Sequence, residues 1–463
     1  MTSEHIAGIV ASRRKAFQDG ITKPLAWRRQ QLNGIRSMLT EHAAEFEAAL
    51  ASDLRRSPTE TQLAEINVIL AEVAHAMKSL RSWTAPRRVA LPLSLQPGRG
   101  WVIREPLGVV LVIAPWNYPV QLLLGPVVAA LAAGNAVVLK PSEQAPATSA
   151  AFARLVPEYL DARAVTVVEG AAAETTVLLE QRFDHIFYTG SARVGRIVAE
   201  AAAKHLTPVT LELGGKSPVY VDDSVDLKAA AKRIAWGKSL NAGQTCVAPD
   251  YLMATREVID AIVPLLDDAV RELYGEDPQT SGDYARIVNG QRFDRLTTLL
   301  GDGTVVSGGR TDAEDRYIAP TVLTDVAEDA PIMREEIFGP LLPIVEVSGP
   351  DDAIARIAAG EKPLALYVFT NDESVRRAFL RGTSSGAVAF NVALVQQTVI
   401  GLPFGGVGQS GMGRYRGEAG FTTFSNEKAV LSKPLAPESL ALIFPPYTKR
   451  VDSFARGLLR RLS

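Results

Sequence analysis

Between residues 108 and 188 the chain alternates short, wholly apolar runs with helical stretches, and this alternation restricts the fold more than any other feature. Gly108 to Ala114, Val137-Val138-Leu139, Val165-Thr166-Val167-Val168 and His185-Ile186-Phe187-Tyr188 read as strands. The first is apolar at every position, not at every second one, as in a parallel strand buried on both faces. Val120 to Ala133, residues 147–160 and residues 171–181 have helical spacing, and Gly134 is placed to cap the first of these helices. The pattern specifies a doubly wound α/β sheet, in which ligands lie at the carboxyl ends of the strands. Chemistry is therefore sought in the segments that follow each strand.

After the first strand comes Pro115-Trp116-Asn117-Tyr118-Pro119, where two prolines fix a loop and Asn117 can present an amide N–H. Lys140-Pro141-Ser142-Glu143 follows the second. Lys140 and Glu143 are placed to reach ribose hydroxyls, and an acidic residue at a strand end favours a free 2′-hydroxyl over a 2′-phosphate. The fourth is followed by Thr189-Gly190-Ser191-Ala192-Arg193-Val194-Gly195, which opens a helix running to Lys204. A helix N-terminus is an anion site by its free N–H groups. Without the full dinucleotide fingerprint, the motif alone favours a plain βα turn over a phosphate site.

Cys246, in Leu240-Asn241-Ala242-Gly243-Gln244-Thr245-Cys246, is the single cysteine of 463 residues, so any covalent thiol chemistry falls to it. The alternative is an inert, small core residue. Glu212 ends the β-branched run Val209-Thr210-Leu211 just before Gly214 and Gly215. A carboxyl buried there has a raised pKa, which suits a general base. One cysteine leaves no intramolecular disulfide, and no paired cysteines or histidine cluster offers a zinc site. A formal net charge of −2, from 49 basic and 51 acidic residues, gives no nucleic-acid footprint. No apolar core of signal-peptide length precedes Arg13, Arg14 and Lys15, and no run reaches the ~18 apolar residues of a spanning helix. The expectation is a soluble, cytoplasmic protein.

Residues 26–80 place Leu32, Ile35, Leu39 and Phe46 at helical spacing, predicting long amphipathic helices. Pro86, Pro92 and Pro97 then interrupt the chain around an extended arm or hairpin ending at Trp101-Val102-Ile103. Ile318 to Leu323 and Leu364 to Phe369 read as strands of a second α/β unit that carries Cys246, with its boundary near Gly214-Gly215. Gly401 to Gly413 reads as a loop closing the site. In the tail, Leu440 to Phe444 is too short to span a bilayer, and Val451, Phe454, Leu458 and Leu462 share a helical face beside Lys449, Arg450, Arg456, Arg460 and Arg461. That face suits either peripheral membrane contact or docking on the body or a partner subunit.

Several of these motifs together resemble one family. Pro115-Trp116-Asn117-Tyr118-Pro119, the run from Gly134 to Glu143, Phe187-Tyr188-Thr189-Gly190-Ser191, the run from Leu211 to Ser217, Gly243-Gln244-Thr245-Cys246 and Glu335-Glu336-Ile337-Phe338-Gly339-Pro340 resemble, in order and approximate spacing, the motif set of the NAD(P)-dependent aldehyde dehydrogenases. His205 to Thr210, Ile234 to Lys238 and Leu402 to Gly408 look most like the class 3 or fatty-aldehyde branch.

The resemblance implies a Rossmann-type cofactor domain, a second α/β catalytic domain and a small oligomerisation arm. It divides the chain into 1–86 with 105–213, 214–410, 87–104 with 411–432, and a tail of 433–463. It makes Cys246 the nucleophile, Asn117 with the Cys246 N–H the oxyanion donors, Glu212 the hydrolytic base, and Glu336 the holder of the nicotinamide ribose. For class 3 enzymes Glu336 is a second candidate base. Cofactor positions fall on Lys140, Glu143, Gly190, Ser191, Gly195, Leu213, Glu336 and Phe338, with NAD preferred and NADP the alternative. Substrate-pocket positions fall on Tyr118, Trp236, Leu394, Gln397, Thr398 and Phe404, suiting medium or long apolar or aromatic aldehydes. A homodimer is expected. The rival functions are a CoA-acylating dehydrogenase and a cofactor-binding protein without turnover.

Overall fold

The computed structural model describes residues 2–462 apart from 93, 94, 442 and 443, and leaves out the side chains of 454 and 458–462. Among the described residues, Val109–Ile113 lies inside a six-stranded sheet. Ala136–Lys140 and then Val165–Val167 lie on one side of it, and His185–Thr189, Val209–Glu212 and the short Gly411–Met412 on the other. Every pairing is parallel except the last. The three central strands are buried at every position, as their unbroken apolar runs require. The strand order reverses between Val109–Ile113 and His185–Thr189, so a crevice opens where the Pro115 and Thr189 loops emerge.

The chain leaves this sheet at Glu212 and enters a second one at Pro218, passing through Gly214 and Gly215. That sheet runs in the order Thr304–Ser307, Thr321–Thr324, Leu341–Glu346, Tyr251–Ala254, Pro218–Val221, Ala365–Phe369 and Ala387–Phe390. Only its first strand is antiparallel to its neighbour. The expected hairpin is present as Arg87–Val89 against Arg99–Pro106, and Ser425–Ser432 joins it from Ser425 opposite Pro106 to Ser432 opposite Arg99.

Gly411–Met412 pairs with Leu211 and Glu212, helix Gly417–Thr423 brings Phe421 to 5.3 Å from the Trp83 ring, and Ser425–Ser432 then enters the three-stranded sheet. At Gly411 a β-carbon would overlap the Leu211 carbonyl, which is why the chain can lie so close to the sheet here. The amino-terminal helices are more divided than expected. They run Leu25–Glu41, Ala43–Leu54 and Asn67–Thr84, after an additional first helix Ser3–Gln18, with a π turn at Gln62–Ile66. Leu32, Ile35, Leu39 and Phe46 are fully buried. The tail forms a helix, Lys449–Leu462. The face expected from Phe454, Leu458 and Leu462, the charges of Arg460 and Arg461, and part of Leu440 to Phe444 lie outside the described residues. Among the described residues no helix is long and apolar enough to cross a membrane.

Helix Gln121–Ala133 ends as predicted at Gly134, whose φ of 94° is one that a side chain disfavours. The next residue, Asn135, is fully buried and ties three segments together. Its Oδ1 accepts from the Gly108 N–H at 2.9 Å, and its Nδ2 donates to the Ala130 carbonyl at 3.0 Å and the Phe424 carbonyl at 2.9 Å. Asn135→Ala leaves these backbone groups without a side-chain partner, at about 1–3 kcal/mol for each one left unsatisfied. The expected result is a melting temperature several degrees lower, with kcat retained in the folded fraction. An unchanged melting temperature would show that the three contacts are dispensable.

Candidate active site

Cys246 follows a turn that few sequences adopt. Asn241, Ala242 and Gly243 all lie in the left-handed region, at φ of 53°, 51° and 74°. Each non-glycine residue there costs roughly 1–2 kcal/mol, so the surroundings have to hold the turn. Gln244 does this with a fully used, buried amide. Its Nε2 donates to the Asn241 and Arg286 carbonyls, both at 3.0 Å, and its Oε1 accepts from the Val288 N–H at 3.0 Å. Asn241 Nδ2 donates to the Asn117 carbonyl at 3.0 Å and the Gln244 carbonyl at 3.2 Å. Cys246 itself is half-buried. Burial pushes its thiol pKa up, and the neighbouring Glu336 and Glu212 push it further, so the resting group is a neutral thiol.

The first sheet brings Asn117 to the same place. Asn117 is buried, and its Nδ2 donates to the Gln244 carbonyl at 2.9 Å, leaving its second amide hydrogen for another acceptor. Beside it, the Tyr118 hydroxyl lies 2.9 Å from Thr245 Oγ1. Glu212 ends strand Val209–Glu212, where its carbonyl accepts from the Gly190 N–H at 3.0 Å. Both oxygens of its carboxyl group are buried with no hydrogen-bond partner among the described residues. Burial raises its pKa well above the carboxylate range, against the opposing pull of Arg414 and Arg416. A β-carbon on Gly405 would stand 3.0 Å from Glu212 Oε1, so the glycine-rich loop lies over this carboxyl.

On the crevice side, Lys140 is buried, with Nζ donating to the Pro141 carbonyl at 2.7 Å and 3.7 Å from the exposed Glu143 carboxylate. Burial lowers the Lys140 pKa and Glu143 opposes this. Ser191 caps helix Ala192–Ala203. Gly195 lies against Leu213, where a β-carbon would come within 2.8 Å of the Leu213 side chain. Glu336 is held from behind. Arg295 donates to the Glu336 carbonyl at 2.6 Å and the Ile337 carbonyl at 2.8 Å, and Asp250, ion-paired with Lys216, accepts from the Ile337 N–H at 2.9 Å. The Glu336 carboxyl lies so close to Gly214 that a β-carbon there would overlap it, and Oε1 has no partner among the described residues. Burial, then Asp250, raises its pKa to about 8, with the Gly215 N–H, Lys216 and Arg295 opposing. Phe338, at φ 52°, stands edge-on to Trp116 with ring centres 5.5 Å apart.

These residues fit a dinucleotide. The unclaimed Glu336 Oε1 above a glycine bed is an acceptor for a ribose hydroxyl, Glu143 beside Lys140 offers another, and the free N–H groups of helix Ala192–Ala203 suit a pyrophosphate.

A cavity of about 490 Å³ opens on the other side of Tyr118. Tyr118, Trp236, Leu394, Gln397 and Thr398 all line it, together with Glu60 and Asp283. Phe404, in the glycine-rich loop, is buried, pairs with Tyr415 in an isolated β-bridge and packs its ring on that residue at 5.7 Å. The supporting residues Arg295, Asp250 and Arg286, and the holding role of Gln244, were missed from sequence. Only Gln244 carried a signal, as a buried amide two residues before the cysteine.

Residues 1–430 match the Aldehyde dehydrogenase family model. The chain is 50% identical to human aldehyde dehydrogenase family 3 member B1 over 438 residues, covering 94% of each chain. It is 48% identical to the mouse aldehyde dehydrogenase described as dimeric and NADP-preferring, covering 94% of this chain and 96% of the relative. The solved substrate-bound state of Staphylococcus aureus AldH superposes with a TM-score of 0.95 at 41% identity, covering 97% of this chain and 99% of that one.

The raised Glu336 pKa sets a pH dependence. The folded state keeps a proton on Glu336 that the unfolded chain loses near pH 4.5, so stability is fully present below that value and is lost as pH rises through about 8. Glu336→Gln is expected to flatten the slope of unfolding free energy between these limits by at most about 1.4 kcal/mol per pH unit. Urea melts across the range measure it, and parallel slopes for the two proteins would refute it.

Proposed function

The chain belongs to the aldehyde dehydrogenase family, and we propose that its chemistry runs through Cys246, with Asn117, Glu212 and Glu336 around it. The protein is an NAD(P)-dependent aldehyde dehydrogenase that converts an aldehyde to the carboxylic acid. The observation that carries the residue assignment is that Asn117, from the first sheet, donates to the carbonyl of Gln244, two residues before Cys246 on the second.

In this reading the Cys246 thiol gives its proton to solvent water as its sulfur attacks the aldehyde carbon, and a C–S bond forms while the carbonyl π bond opens. The carbonyl oxygen becomes an oxyanion within reach of the free Asn117 amide hydrogen and the Cys246 N–H. NAD(P), when bound, supplies the hydride acceptor that turns this adduct into a thioester. Glu212, whose carboxyl has no hydrogen bond to break, takes a proton from the water that attacks the thioester. The C–S bond then breaks, the acid leaves and the thiol is restored. Glu336, fixed over Gly214, holds the nicotinamide ribose, and Phe338 packs at that end. Lys140 and Glu143 receive the adenine ribose, and Glu143 tilts the choice toward NAD.

The 490 Å³ cavity supports medium or long-chain aliphatic and aromatic aldehydes. It has acidic residues, Glu60 and Asp283, and no lysine or arginine among its described lining, so uncharged substrates are favoured over anionic ones. A cytoplasmic homodimer is the assembly we favour. The exposed three-stranded sheet and the relative described as dimeric support the dimer.

With Glu212→Gln, rapid mixing is expected to retain a first-turnover burst of NADH, followed by slow steady turnover. Loss of the burst together with the steady rate would move Glu212 to an earlier step. For aldehydes of equal length, kcat/KM is expected to be at least about tenfold lower when the far end carries a carboxylate, a penalty of about 1.4 kcal/mol. Asp283→Asn should narrow that ratio. Equal kcat/KM for the two aldehydes in the parent protein would remove the acidic lining from the account of specificity.

A further inference from the structure

Arg56 is the largest fully buried side chain of the molecule, yet it lies outside the chemistry described so far. It follows Arg55, which ends helix Ala43–Leu54 in the left-handed region at φ 55°, so the chain turns Arg56 inward. Two of the three guanidinium nitrogens donate hydrogen bonds, one amino group to Glu65 and the other to the Asn117 carbonyl, while Nε stands in an ion pair 3.2 Å from Glu60 Oε1 without a hydrogen bond. The guanidinium carbon lies 4.5 Å from the centre of the Tyr118 ring.

The two carboxylates extend this grip. Glu65, in the π turn Gln62–Ile66, is fully buried. Its Oε2 accepts from the Val120 N–H at 3.1 Å and the Gln121 N–H at 2.6 Å, at the start of helix Gln121–Ala133. Glu60 faces the backbone N–H of Asn241, the first left-handed residue of the cysteine turn, which favours its ionised form. The Asn117 carbonyl therefore takes hydrogen bonds from both Arg56 and Asn241 Nδ2. Two donors on one carbonyl fix the plane of the Asn117 peptide, and with it the direction of the side chain.

A buried cation between two carboxylates is a poor device for stability alone, because apolar groups of the same volume often serve as well or better. The ion triad here touches the backbone of both oxyanion-forming segments at once. We infer that Arg56, flanked by Glu60 and Glu65, is a positioning residue that holds the Asn117 amide and the Cys246 turn at the spacing the oxyanion requires. This rests on the reading of Asn117 as an oxyanion donor.

Lysine at this position keeps the charge but cannot reach Glu65 and the Asn117 carbonyl with a planar fork. The test is a cycle of Arg56→Lys, Asn117→Ala and the double variant in the full-length protein, with kcat, KM for the aldehyde and melting temperature measured at saturating NAD. Arg56→Lys is expected to lower kcat about 10- to 100-fold while KM moves less than about threefold. In the Asn117→Ala background the same change is expected to cost less than about twofold, since the group it positions is already gone. Equal losses in both backgrounds would overturn the inference, as would a lower melting temperature at parental kcat. Asn117→Ala with parental kcat would remove the oxyanion reading, and this inference with it. If Arg56→Lys does not fold, Glu65→Gln replaces it in the cycle, with a smaller loss of kcat and the same non-additivity expected.

Discussion

The structure depends on holding three consecutive residues, Asn241, Ala242 and Gly243, in a backbone conformation that their own chemistry disfavours. Two of them carry a β-carbon, so the turn stores roughly 2–4 kcal/mol that local hydrogen bonds and packing have to offset. The offset is supplied by side-chain amides that lie within the turn or reach it from elsewhere. Gln244 spends its donor on carbonyls 241 and 286 and its acceptor on N–H 288, while Asn241 spends its donor on carbonyls 117 and 244. The segment around Arg286 is anchored in turn by its N–H on the Leu54 carbonyl and by its guanidinium on Asp315. The position of the thiol is thus set by residues far apart in sequence, and little of it is set by the helix that precedes it.

Burial governs the electrostatics in the same way. Glu336 and Glu212 both act on Cys246, and each of the three has its proton held more tightly than in water, chiefly by burial. Neighbouring negative charges in a low-dielectric site cannot all be present together, so the cluster rests with as few of them as it can. Arg414 and Arg416 are the cations that oppose this at Glu212, and Lys216 and Arg295 do so at Glu336. The two carboxyls are distinguished less by pKa than by freedom. Glu336 is pinned against Gly214 with a backbone donor behind it, whereas the Glu212 carboxyl has no hydrogen-bond partner among the described residues. A group that must move a proton to different partners is better served by the second arrangement.

The fold was legible wherever the signal was local and periodic. Runs such as Val109–Ile113 and 136–139 are apolar at every position because both faces are covered, and the glycine at 134 marks the end of its helix without reference to anything distant. Cys246, Glu212 and Asn117 each stand out against their segments in the sequence, and the fold gathers Asn117 at the cysteine turn. Arg56 did not stand out, since one arginine among many in a helical stretch has nothing to distinguish it until the fold brings the Asn117 carbonyl, 61 residues on, against it. Tyr415 did not stand out either, because its backbone bridge and ring contact with Phe404 exist only once the glycine-rich loop has folded back on itself.

Cys246 and Asn117, the proposed nucleophile and oxyanion donor, follow from different sheets, and buried polar groups cluster between them. A strand holds its own residues to a fraction of an ångström, but two sheets joined through Gly214 and Gly215 have no such register between them. The register is supplied by hydrogen bonds that cross the gap: Asn117 Nδ2 to the Gln244 carbonyl, Asn241 Nδ2 to the Asn117 carbonyl, and the Tyr118 hydroxyl with the Thr245 hydroxyl. The first two are reciprocal, each segment giving an amide donor to the other's backbone, so a slide of about 1 Å strains them. A displacement of that size is enough to reduce a rate about a hundredfold. Apolar packing at the same place would tolerate the slide, because dispersion has little directionality. Hydrogen bonds do not, and the polar character of this interface follows from the accuracy that the chemistry demands.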